Sequence, residues 1–191
     1  MTDTADRAAT GARGRTRRAI LSAAATVLGQ DRNAPLSAVA RAADVGRSTL
    51  HRYFPDRDEL VSATYEDSLA EIGRAMEEAR LHEGPALEAV RRMIAAHIEV
   101  GDRVVFAFGD PALAQAHDTG EEADEPEEIV ALFARGQEEG ALDTNVEPEW
   151  FVHVMWALVF TGLDLVHTGR ISRHDLVPRI LRTFERGALV R

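Results

Sequence analysis

The sequence predicts an all-α protein, and three observations carry that prediction. Apolar residues recur at helical spacing along most of the chain, as Ile20, Ala23, Ala24, Val27 and Leu28 do near its start. Period-two alternation, the mark of a half-buried strand, is almost absent. Helix punctuation also falls where the periodicity changes. Pro35 suits a first turn, Gly84-Pro85 opens a helix, Gly140 closes one, and Glu147-Pro148 begins the next. The predicted helices cover residues 15–30, 35–43, 47–53, 57–81, 85–101, 103–117 (irregular), 127–139, 148–168 and 173–188. Residues 1–13 are small, polar and unpatterned, and are expected to be disordered. The stretch 118–128 holds seven acids and reads as a solvated loop.

The chain has 191 residues, long enough to bury a core, with 45% hydrophobic and 28% charged residues, as in a soluble globular protein. It has no cysteine, which excludes disulfides and thiolate chemistry. It also lacks lysine, so all 22 basic residues are arginine. Two segments imitate targeting signals. Residues 15–30 place arginines before an apolar run, but the run has one helical face and no convincing cleavage site follows. Residues 150–166 are at the short limit for a bilayer span and carry His153 and Asp164. Both read as helices of a soluble, cytoplasmic protein, with no membrane partner expected.

Charge divides the chain. Residues 1–58 hold ten arginines against six acids, or +4, so the remainder carries -14 of the total -10. A basic head on an acidic body suits a head that meets a polyanion. Within the head, Val39, Ala40 and Ala43 give a short helix an inner face, and Asp44-Val45-Gly46 makes a turn. Gly46 is placed as N-cap of the next helix, with Val45 and Leu50 forming a hydrophobic staple. Leu50 and Phe54 lie four apart and point inward. Ser48 and Arg52 then point outward, flanked by Thr49 and His51, with Arg47 and Tyr53 on the shoulders. Such a helix fits a DNA major groove about 12 Å wide. Spacing alone equally describes an amphipathic helix with a wet polar face.

The stretch LSAVARAADVGRSTLHRYFPDRDELV, residues 36–61, resembles the DNA-binding signature of the TetR family of transcriptional repressors. Thr49-Leu50, Tyr53-Phe54-Pro55, Arg57 and Leu60 carry the resemblance. It implies an N-terminal three-helix DNA-binding domain with a helix-turn-helix, followed by a C-terminal helical domain for ligand binding and dimerisation. The expected boundaries are a tail at 1–13, the DNA-binding domain at 14–58, and the effector-binding and dimerisation domain at 59–191. By resemblance, Arg47, Ser48, Thr49, His51 and Arg52 read bases or grip phosphate. Tyr53 and Arg57 meet the DNA backbone, and Ser37 approaches the groove edge. Asp44 and Gly46 differ from the glycine and the serine or threonine usual at those places, and His51 from the common tyrosine. Asp56 and Glu59 form a capping box for the fourth helix.

The function implied is a ligand-responsive repressor that binds a palindromic double-stranded DNA operator as a homodimer and is released by a small-molecule effector. Helix 148–168 is apolar nearly all round. Together with 173–188 it offers a dimer face of Met155, Leu158, Val159, Gly162, Leu165, Val166, Ile180 and Phe184. Effector contacts are expected from Met76, Met93, His97, Phe106, Phe108 and Phe133, with His97 as the polar anchor on an apolar stripe. The alternative is a helical small-molecule or metal-binding protein, or an enzyme, without DNA binding. No serine-nucleophile elbow, P-loop, dinucleotide fingerprint or HExxH occurs, so neither catalytic residues nor a cofactor are expected. Asp164 with His167 and His117 with Asp118 are the nearest approaches to a metal pair, and each lacks a third member.

Overall fold

The structure is a computed structural model and describes residues 3–117 and 127–189. The helices are α1 (Asp3–Gln30), α2 (Leu36–Ala42), α3 (Arg47–Tyr53), α4 (Arg57–Ala79), α5 (Ala86–Glu99), α6 (Gly101–Phe108), α7 (Pro111–Ala116), α8 (Glu127–Glu138), α9 (Pro148–His167) and α10 (Arg173–Ala188). An antiparallel bridge between Leu142 and Leu189 is the only β pairing among the described residues. The expected all-α class holds.

Two boundaries differ from the sequence expectation. The tail at 1–13 is helical from Asp3 onward, because alanines at 5, 8, 9 and 12 outweigh Gly11 and Gly14. The expected helix over 103–117 breaks at Gly109-Asp110. There Gly109 N–H closes on the Val105 carbonyl at 3.0 Å, and the Asp110 carboxylate accepts from Ala112 N–H at 2.9 Å to start α7. The acidic stretch 118–128 lies, for its residues 118–126, outside the described residues, as does Asp118 of the His117-Asp118 pair.

The chain divides into two compact units. Unit one is Met1–Ala70 with Asp102–Leu113, and unit two is Glu71–Gly101 with Ala114–Arg191. Unit one thus runs twelve residues past 58, along α4, and takes in residues 102–108 of α6, a segment no local pattern assigns to it.

In unit one, α1 buries Ile20, Leu21, Ala24 and Leu28, and α2 packs on it through Val39 and Ala40. A Schellman-type turn ends α2. Val45 N–H reaches the Ala40 carbonyl at 2.9 Å while Asp44 takes φ 53, a left-handed conformation that aspartate tolerates better than most side chains. Gly46 caps α3 as expected, with φ -71 and ψ 151. Asp56 then accepts a 2.8 Å bond from Glu59 N–H and starts α4.

In unit two, α5, α8, α9 and α10 pack on one another. Phe133 of α8, Phe151 of α9 and Phe184 of α10 meet with ring centroids 5.8 to 6.2 Å apart. α9 is long and apolar enough to cross a membrane by composition alone. Its contacts with α5, α8 and α10 account for one apolar face. Gly162 sits where α9 crosses α10: a Cβ there would lie 2.3 Å from Leu176 Cδ1 and 3.0 Å from Ile180 Cδ1.

Candidate nucleic-acid interface

The second helix of the head, α3, has the two faces its sequence implies. Leu50 and Phe54 are buried, at 1% and 2% exposure, and together anchor the helix with roughly 3–6 kcal/mol of apolar burial. The Arg17 guanidinium lies 5.5 Å from the Phe54 ring centroid and pins the end of α3 to α1. On the other face Arg47, Ser48, His51 and Arg52 are exposed, while Thr49 and Tyr53 are half-buried on the shoulders. Arg52 lies 5.8 Å from the Tyr53 ring. His51 Nδ1 is 3.3 Å from the Pro55 carbonyl, which aligns its ring with the end of the helix. Ser37 of α2 joins Arg47, Leu50 and His51 around a shallow cleft of about 230 Å³. The expected reading residues are thus brought together on one surface, apart from Arg57.

Arg57 corrects an expectation. Its side chain turns back on its own unit, donating to the Ala34 carbonyl at 2.8 Å and to the Arg32 carbonyl. A guanidinium holding two carbonyls of the loop between α1 and α2 positions the head rather than reaching outward for phosphate. Sequence reasoning missed this, and it also missed Arg32 and Arg103. Arg103 of α6 pairs with Asp67 of α4 at 2.9 Å and donates to the Leu21 carbonyl of α1 at 3.1 Å. Thr26 of α1 donates to Asp102 at 2.8 Å. These contacts join residues more than twenty positions apart, a range at which single-sequence periodicity carries no signal.

A profile of bacterial regulatory proteins, tetR family, matches residues 20–64, which covers the C-terminal part of α1, all of α2 and α3, and the first third of α4. The transcriptional repressor LfrR of Mycolicibacterium smegmatis is 36% identical over 185 residues, covering 94% of this chain and 93% of the relative. The chain belongs to the TetR family. The regulator NfxB of Pseudomonas aeruginosa is 26% identical, covering 88% of this chain and 92% of its own. The crystal structure of LfrR aligns with a TM-score of 0.75 at 35% identity, covering 94% of this chain and 99% of LfrR. LfrR has also been solved in complex with proflavine, and that structure aligns with a TM-score of 0.67. This TetR-family protein is a transcriptional regulator whose head carries a helix-turn-helix.

The six residues expected around an effector are divided between the two units. Phe106 and Phe108 lie in unit one, Phe106 wholly buried there and Phe108 39% exposed, so Phe108 is no inner wall. Met76, Met93, His97 and Phe133 lie in unit two; Met76 is half-buried and the others are buried. Phe133 spends its ring on Phe151 and Phe184.

His97 is 1% exposed, its Nδ1 is 3.0 Å from the Met93 carbonyl, and Trp156 meets its ring edge-on at 4.7 Å. Burial pushes its pKa down from 6.5 to about 4, against the opposing pull of the Met93 bond. The ring is therefore neutral at pH 7, with Nδ1–H donating to Met93. Because folding lowers this pKa, the unfolded chain binds the proton more readily. The stability is complete above about pH 6.5 and is lost as pH falls toward 4, by about 2 kcal/mol at pH 5. Urea titrations at pH 7 and pH 5 should show that loss in wild type and a smaller one in His97→Gln; equal losses would contradict it.

Five of the eight residues expected at a dimer face lie instead inside this chain's own core. Met155, Val159, Gly162, Ile180 and Phe184 are buried, and a side chain enclosed by its own subunit has no surface for a second. Leu158, Leu165 and Val166 are half-buried. The open face of α9 consists of Trp150, Val154, Ala157, Leu158, Thr161 and Leu165, which fall on one side of the helix. Asp164 and His167 are exposed beside it.

Proposed function

We propose that this regulator is a ligand-responsive repressor of the cytoplasm, binding a palindromic operator as a homodimer and released by a small molecule. It works by binding, without catalysis or a cofactor. The observation that carries this reading is the outer face of α3, where Arg47, Ser48 and Arg52 stand exposed on a helix fixed from behind by Leu50 and Phe54. Exposed arginines on a rigid helix of seven residues match what a major groove admits. The test is retardation of random duplex DNA at low salt that disappears as salt rises, followed by selection of a preferred sequence. Recovery of a palindrome supports the reading; failure to retard any duplex defeats it.

A single α3 reads few base pairs, so two copies are needed for a specific site. The open α9 stripe is the surface we assign to the second copy, because Val154, Leu158 and Leu165 are apolar and not enclosed by their own subunit. Leu165→Glu should leave the fold intact but convert the dimer to monomer and weaken operator binding by at least about tenfold. A Leu165→Glu protein that remains dimeric by light scattering would move the interface elsewhere.

For the effector, the relative LfrR supplies the first probe, since it has been solved with proflavine. A planar aromatic ligand suits the rings of unit two, where Trp156 lies 4.7 Å from His97 and 5.6 Å from Phe160. Neutral His97 does not repel a cation. His97→Ala should raise the proflavine concentration needed to release operator without altering operator affinity. An unchanged release concentration would leave His97 as ordinary core.

A further inference from the structure

We infer that Arg32 is a positioning residue that ties the DNA-reading head to the end of α6, so that operator occupancy and the state of α6 are linked through it. This rests on the reading of α3 as the DNA-binding helix.

The geometry is a chain of contacts within unit one. The last four carbonyls of a helix lack intrahelical partners. In α6 the Val105 carbonyl is taken by Gly109 N–H, and the Phe106 carbonyl accepts from the Arg32 guanidinium, seventy-four residues away in sequence. Arg32 thus caps α6 from outside, with a cation at the negative end of the helix dipole. Its guanidinium lies 4.7 Å from the Phe106 ring centroid, and its Nε is 3.7 Å from the Asp110 carboxylate just past the helix. The Arg32 backbone faces the other way, its carbonyl accepting from Arg57, whose second nitrogen holds the Ala34 carbonyl. Asp31 completes the loop: its carboxylate accepts from Asn33 N–H and its carbonyl from Ala34 N–H. Pro35, the next residue, is the N-cap of α2, which packs against α3. One residue therefore holds α6 by its side chain and the loop leading to the reading helices by its main chain. Burial lowers the Arg32 pKa from its ordinary value while Asp110 raises it, and arginine remains charged throughout the physiological range.

Hydrogen–deuterium exchange on the full chain tests the link, with Arg32→Gln as the variant and the DNA selected above as the probe. In free protein Arg32→Gln should speed exchange both at Ala34 and at the end of α6 around Gly109, by at least about threefold. In wild type, DNA should slow exchange at α3 and also at 105–109. In Arg32→Gln the slowing at α3 should persist and the slowing at 105–109 should vanish. A purely structural role predicts something different: a lower urea midpoint and faster exchange throughout α1–α3, with the DNA effect at 105–109 retained. That pattern overturns the inference, as does a wild type whose α6 ignores DNA. If no duplex binds at all, the regulator reading fails, and the free-protein comparison decides alone: faster exchange confined to the loop overturns the link.

Discussion

Gly162→Leu is expected to be the most damaging single substitution described here, and its damage should fall on folding. The first atom of any side chain at that position already lies 2.3 Å from Leu176 Cδ1 and 3.0 Å from Ile180 Cδ1. Leucine adds three carbons beyond that Cβ in a space that closes before the first. Ordinary overpacking costs about 1–3 kcal/mol, and here α9 and α10 must also separate, so the loss should exceed that range. Domains have only about 5–15 kcal/mol of stability in all. The protein should be insoluble, or should melt at far lower temperature by circular dichroism. Gly162→Ala should cost less, because the opposing atoms are the flexible ends of Leu176 and Ile180. Set beside Leu165→Glu, which should remain folded, the pair separates the two faces of α9. A stable, monomeric Gly162→Leu protein would place Gly162 at an interface between copies after all.

The second large effect concerns the operator. Arg47→Ala and Arg52→Ala should each cost about 1–3 kcal/mol of specific affinity if their guanidinium groups make paired bonds to guanine, roughly 5- to 150-fold. Each should relax the preference at one position of each half-site. Loss of a phosphate contact instead would weaken all sequences alike and reduce the salt slope by about one. Arg57→Ala supplies the contrast, since its donors are already held by the Ala34 and Arg32 carbonyls. It should leave the salt slope unchanged and lower stability by about 2 kcal/mol. Fluorescence anisotropy over a salt series and urea denaturation measure the two quantities. Arg47 and Arg52 variants that bind like wild type would remove α3 from the interface.

What could be read from the sequence was local. The bounds of α3, the turn at Asp44-Val45-Gly46, the Gly46 cap and the Asp56 cap of α4 depend on residues within five positions of one another, and the structure has all of them. The outward face of α3 followed from two inward residues, Leu50 and Phe54. Where the sequence misled, the deciding contact was distant. Arg57 carries the same charge whether it faces phosphate or a carbonyl, and only the position of the loop at 31–34 decides. Gly162 permits close approach to any helix, and nothing nearby in the chain says that the helix is α10 of the same subunit. α9 presents apolar residues on both its buried and its open sides, so periodicity, which works by contrast, could not divide them. Phe106 and Phe108 are expected at the effector only by resemblance, and no local pattern assigns residues 102–108 to unit one.

The chain's two tryptophans, Trp150 and Trp156, both belong to α9. Trp150 is 58% exposed on the open stripe, while Trp156 lies against His97 on the adjoining flank. The tryptophan fluorescence of the protein, excited selectively over Tyr53 and Tyr65, is consequently a spectroscopic signal from one helix. Its red-shifted part comes from Trp150 and should move to shorter wavelength when that stripe is covered. The other part comes from Trp156 and should dim as acid protonates the neighbouring imidazole. Without any added dye, one emission spectrum taken against concentration and pH reports on both sides of the same helix.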